Sequence, residues 1–129
     1  MVDFWAFWCV PCRKGFPHTV EWRKKYSAKD LVVISMSLDD PEQESQQRAL
    51  DFLKEQGATL LNLSSRLGSE EEVMEAFDID NSMLPHFKVY DREGKLFRKF
   101  ITDELAEPPT HEVVETTIRE ALGLDEKSE

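Results

Sequence analysis

Apolar positions fall in short clusters separated by polar stretches, and the spacing within each cluster predicts an element. Residues 2–7 form a short apolar run, read as a buried strand. Residues 9–26 follow as a helix. Cys9-Val10-Pro11-Cys12 opens it, and Pro11 sits in the first turn, where a missing N–H costs little. Phe16, Val20 and Trp22 supply its apolar side, and Pro17 inside it predicts a kink. Residues 31–38 are the next strand. Leu31-Val32-Val33-Ile34 has no polar interruption, the pattern of a strand buried on both faces in a parallel sheet. Asp40 predicts a helix cap, with Pro41 at the first helical position and Gln43 reaching back. Ala49, Leu50 and Leu53 form the buried stripe of that helix, and Gly57 stops it.

Residues 59–63 read as a short strand. Ser69 with Glu72 predicts a capping box and a helix reaching about Phe77, with Val73, Met74 and Phe77 inward. Residues 87–90 are a strand, 91–94 a turn and 95–100 its hairpin partner. Residues 101–109 make an acidic, proline-containing loop. Thr110 caps a last helix with Val114, Ile118 and Leu122 on one face, and Gly123 ends it. The order β-α-β-α-β-α-β-β-α predicts the α/β class: a central mixed sheet flanked by helices, closing in a hairpin and a helix. Residues 1–124 read as one domain and 125–129 as a flexible acidic tail.

Composition narrows the field. With 129 residues and 40% hydrophobic positions the chain supports one core. It has no apolar run of about 18 residues, so the sequence contains no membrane-span candidate. Lys plus Arg total 16 against 26 Asp plus Glu, a formal net charge of −10. Such a surface repels nucleic acid and anionic lipid, so neither is expected as a partner, and the surplus acid serves solubility. Strand-like sequence beginning at Val2 without a lead-in predicts that natural sequence precedes Met1. A signal, a membrane anchor or a further domain is expected there.

The two cysteines, Cys9 and Cys12, are the only ones. A two-residue gap closes too small a loop to staple a fold, so the pair is redox-active, metal-binding or incidental. A thiolate, not a thiol, attacks a disulfide, and a free cysteine with a pKa of about 8.5 is mostly protonated at neutral pH. At a helix N-terminus, unpaired N–H groups and the positive dipole end favour the anion. Cys9 takes that position, and Cys12 lies one turn on, close enough to resolve a mixed disulfide. The competing reading is half of a zinc site, with His18, His86 and His111 as the remaining histidines and no second CxxC.

Residues 2–12, Val-Asp-Phe-Trp-Ala-Phe-Trp-Cys-Val-Pro-Cys, resemble the active-site strand and turn of the thioredoxin superfamily. Residues 73–79 and 84–95, with the insert 39–63, resemble its TlpA/ResA-like branch. The resemblance implies a thioredoxin fold and a thiol–disulfide oxidoreductase acting as a reductant. Cys9 would be the exposed nucleophile and Cys12 the buried resolving thiol. Trp8, Val10 and Pro11 would shape the site, and Pro85 matches the family's cis-proline. Leu84 would offer backbone groups to an extended substrate peptide. Asp3 matches a buried acid that exchanges a proton with Cys12, against the alternative of a solvated strand-end carboxylate. No cofactor is implied, because the cysteines carry both electrons. Partners would be cysteine-containing proteins and an upstream electron donor. A monomer in an extracytoplasmic compartment is expected, tethered only through upstream sequence.

Two departures stand out. The branch's active-site glutamate position holds Gly15, which leaves Asp3 as the candidate acid. His86 follows Pro85 where the family has threonine. It could face Cys9 and favour its thiolate, join the cysteines on a metal, or stand solvated at the strand start. A docking module without turnover is the alternative from another class. A peroxidase centred on a lone cysteine fits Trp-Cys-x-Pro-Cys poorly.

Overall fold

The computed structural model describes residues 1–102 and 109–124. The predicted tail, and most of the acidic loop, lie outside the described residues. β1 (Val2–Trp5) leads into α1 (Val10–Tyr26), then β2 (Ile34–Ser37), α2 (Gln43–Glu55), β3 (Leu61–Ser64), α3 (Glu71–Ala76), β4 (His86–Tyr90), β5 (Leu96–Phe100) and α4 (His111–Leu122). The sheet order is β3-β2-β1-β4-β5. β1 runs parallel to β2 and antiparallel to β4, with Phe4 opposite both Met36 and His86. The sheet is therefore mixed, and β1 is its central strand.

Alternation along β1 divides the core. Asp3 and Trp5 point to the α1 side: Trp5 packs on Phe16 at 5.0 Å between ring centroids and on Phe52 of α2 at 5.4 Å. Phe4 points the other way, onto Phe77 at the end of α3, at 5.6 Å. Trp5 and Phe16 are fully buried, and each such side chain contributes about 1.5–3 kcal/mol. α4 covers the α1 side with Val114 and Ile118 buried.

Several boundaries differ from those read in the sequence. The second strand begins only at Ile34, where pairing to both β1 and β3 starts. Val32 faces solvent at 65% exposure, so the run 31–34 is not buried on both faces. The N-cap of α2 is Glu42, not Asp40, and that of α3 is Glu70, not Ser69; neither makes a side-chain cap bond. Phe52 rather than Leu50 occupies the inner face of α2, and Leu50 is exposed. The stops were legible. Gly57 and Gly123 take left-handed φ of 61° and 76° just past their helices, conformations open to glycine. Thr110 Oγ1 accepts from Val113 N–H as the predicted cap of α4.

Candidate active site

The site forms where the central strand ends and α1 begins. Ala6-Phe7-Trp8-Cys9 turns back on itself, with Cys9 N–H donating to Ala6 O at 3.0 Å. Cys9 is the N-cap of α1 in an extended conformation, and its sulfur accepts the Cys12 N–H at 3.3 Å. Val10 and Pro11 fill the first two helical positions, where no intrahelical N–H bond is lost to proline. Cys9 and Cys12 are joined as a disulfide, their Cα atoms 5.2 Å apart.

The expected contrast between an exposed Cys9 and a buried Cys12 is corrected here. Both residues are buried, at 5% and 4% exposure. Trp8 and Val10 on either side of Cys9 are exposed, so the surface around the pair is apolar.

Asp3 is no solvated strand-end carboxylate. It is 2% exposed, and Thr19 Oγ1 from α1 donates to its Oδ2 at 2.8 Å. Burial pushes its carboxyl up to about 7, and the Thr19 bond offsets that only in part. A carboxyl poised there can take or give a proton near neutral pH.

Pro85 follows a cis peptide bond from Leu84. Pro11, Cys12, Gly15, Pro85, Phe87 and His111 help line an open cavity of about 440 Å³ beside the inner sulfur. A Cβ at Gly15 would meet nothing within 4 Å, so the absent glutamate leaves open space. Leu84 is buried, and its backbone makes no hydrogen bond among the described residues. A larger cavity, about 540 Å³, lies between α2 and β3, away from the cysteines.

His86 is misread by every sequence expectation. It is fully buried, not solvated, and it points to the α3 side of the sheet, edge-on to Phe4 at 5.8 Å. Phe87, the next residue, lines the cavity instead. Burial and the nearby Lys88 charge lower the His86 imidazole to about 4, so it is neutral at ordinary pH and offers Cys9 no charge. Neither ring nitrogen has a hydrogen-bond partner among the described residues. Among them, no three His, Cys, Asp or Glu side chains are grouped to hold a metal ion.

Sequence reasoning also missed groups that the fold brings to this end. His18 and His111, from α1 and α4, stack with ring centroids 3.9 Å apart on the cavity wall. Their separation in sequence gives no hint of it. Asp39 accepts the Phe7 N–H and so touches the redox turn from β2's end.

Comparison with known proteins bears on the fold and the family. The chain is 27% identical over 111 residues to the thiol-disulfide oxidoreductase ResA of Bacillus subtilis, covering 86% of this chain and 56% of that protein. The Bacillus anthracis ResA is 24% identical over 106 residues. The chain thus spans little more than half the length of these relatives. Among solved structures, a Chlorobium tepidum protein described as a thiol:disulfide interchange protein DsbE is 27% identical, with a TM-score of 0.73. The match covers 95% of this chain and 78% of that one. StoA from Bacillus subtilis, at 23% identity and a TM-score of 0.65, shares the fold. The fold is that of thioredoxin, and since the model of the AhpC/TSA family matches residues 1–99, the chain belongs to that family.

Proposed function

We propose that the chain exchanges disulfides with cysteine-containing proteins, working as a reductant. The observation that carries this reading is Cys9 at the N-cap of α1, its sulfur accepting the Cys12 amide. An anion at that point is favoured by the unpaired N–H groups of the first turn. The names of the relatives, thiol-disulfide oxidoreductase and thiol:disulfide interchange protein, support it.

In the reduced protein, the Cys9 thiolate attacks one sulfur of a partner's disulfide. A Cys9–partner S–S bond forms, the partner's own S–S bond breaks, and its other sulfur leaves as a thiolate that takes a proton from water. The Cys12 thiol then gives its proton to the Asp3 carboxylate and attacks the Cys9 sulfur. The mixed disulfide breaks, Cys9–Cys12 closes, and the partner departs with both electrons. A dithiol donor restores the pair by the reverse steps. Trp8, Val10, Pro11 and the Leu84–Pro85 backbone receive the partner's segment, in the manner of strand addition. His86 is set aside from this surface. No cofactor enters these steps, and the protein acts as a monomer. No helix of the described residues is long and apolar enough to cross a membrane. An extracytoplasmic location follows the TlpA/ResA-like resemblance.

Trapping tests the proposal. Cys12→Ser should accumulate mixed disulfides on Cys9 that dithiothreitol releases, and Cys9→Ser should accumulate none. Wild type should accelerate insulin reduction by dithiothreitol. Absence of both trapping and acceleration would favour a docking module. Equilibration in a glutathione buffer should place the pair on the reducing side, near the value of about −270 mV of thioredoxin itself. In Asp3→Asn, the rate of Cys12 alkylation against pH should lose its inflection near neutrality; an unchanged profile removes Asp3 from the proton step.

A further inference from the structure

The redox turn is held from outside its own helix. Within Ala6-Phe7-Trp8-Cys9, the Phe7 N–H finds no carbonyl of the turn. It donates instead to Asp39, 2.9 Å from Oδ1 and 3.1 Å from Oδ2. Asp39 lies just beyond the end of β2 and is 2% exposed. Ser37 Oγ donates to its Oδ2 at 2.6 Å, and Gln46 of α2 donates from Nε2 to its main-chain oxygen at 3.4 Å. The carboxyl therefore ties the turn to β2, and the main-chain oxygen of the same residue reaches α2. The Phe7 ring is held as well. The Arg13 guanidinium lies 4.7 Å from its centroid, and its edge meets Phe52 at 6.1 Å.

We propose that Asp39 is a positioning residue for the redox turn: by holding the Phe7 amide it fixes Cys9 where α1 can stabilise the thiolate. The proposal rests on the thiol–disulfide reading above. The physical reason is distance. The field of a helix end acts only within its first turn, so a sulfur displaced from the Cys12 N–H loses both the hydrogen bond and the dipole. Phe7 is two residues from Cys9, too short an arm to absorb a change at its amide. Among the described residues nothing else accepts that N–H. An unanswered amide there would turn toward another acceptor and carry Trp8 and Cys9 with it.

The test compares Asp39→Ala, which removes both acceptor oxygens, with Asp39→Asn, which keeps one. Two quantities are read on the full chain: the rate of Cys9 alkylation by iodoacetamide against pH in reduced protein, and hydrogen exchange of the Phe7 amide by NMR. Wild type should protect that amide. Asp39→Ala should lose the protection, move the alkylation midpoint upward and slow the reaction at neutral pH about tenfold, the equivalent of one pKa unit. Asp39→Asn should keep most of the wild-type rate. A lower melting temperature in Asp39→Ala with an unmoved alkylation profile would show a merely structural residue and overturn the proposal. A freely exchanging Phe7 amide in wild type would overturn it without any variant, as would an Asp39→Asn no better than Asp39→Ala. If Asp39→Ala does not fold, the wild-type amide and Asp39→Asn decide. A Cys12→Ser variant that traps no partner, together with a wild type that reduces no insulin, defeats the thiol–disulfide reading instead, and leaves these amide and alkylation results to stand or fall separately.

Discussion

Asp3 and His86 are buried ionisable groups on opposite faces of the sheet, and they tilt stability in opposite directions. The Asp3 carboxyl, pushed up to about 7 from 3.8, binds its proton more tightly in the folded chain. Stability is therefore lost as pH rises from about 4 to 7 and stays lost above. Asp3→Asn escapes that cost. It should unfold at higher urea than wild type at pH 8, by up to about 4 kcal/mol, with the gain vanishing near pH 4. His86, lowered from 6.5 to about 4, binds its proton less tightly in the folded chain. It removes stability as pH falls through that window. His86→Leu should flatten this acid-side loss in urea titrations and cost little at pH 8, where no paired nitrogen is given up. A variant as acid-sensitive as wild type would put the charge elsewhere. The cysteines and Pro11 were legible because their spacing is itself the chemistry. His86 was not, because a histidine at a strand's start reads as polar. Only the register, which places it on Phe4's side of the sheet, reveals its burial.

Between elements, the contact that fixes the active-site helix runs through Glu115 of α4. Its carboxylate accepts from Trp22 Nε1 at 3.2 Å, Lys25 Nζ at 2.8 Å and Tyr26 Oη at 2.5 Å, all on the last turns of α1. Glu115→Ala leaves the buried Trp22 indole N–H and the buried Tyr26 phenol without this acceptor. It should cost about 2–3 kcal/mol, read from the urea midpoint, with Glu115→Gln losing less because one oxygen remains. An effect below about 0.5 kcal/mol would mean that apolar packing alone docks the two helices. Element order and all the helix stops were readable from periodicity and glycine. The starts of α2 and α3 were not. Each has a plausible capping residue nearby, yet the backbone begins the helix at Glu42 and Glu70. Asp39 and Asp40 look alike in sequence, but the first is committed to Phe7 and the second stands against Gly68, where an added Cβ would lie 3.3 Å from its Oδ1. Local preference cannot register such distant commitments.

For the molecule as a whole, the mixed sheet follows from the sequence's alternation of strand and helix, and the comparisons agree on the fold. What sequence could not give is depth: the redox pair sits recessed at the end of the central strand while its flanking Trp8 and Val10 stand out. Recession sorts partners by reach. A disulfide buried within a rigid globule cannot arrive at a sulfur that is itself below the surface. One carried on a pliant loop or an unfinished chain can. Reduction of a denatured protein should outpace reduction of the same protein in its native state by at least about tenfold, while a small linear disulfide should not distinguish itself from the denatured chain so sharply. Such a protein would choose its clients less by their sequence than by how far their folding has progressed.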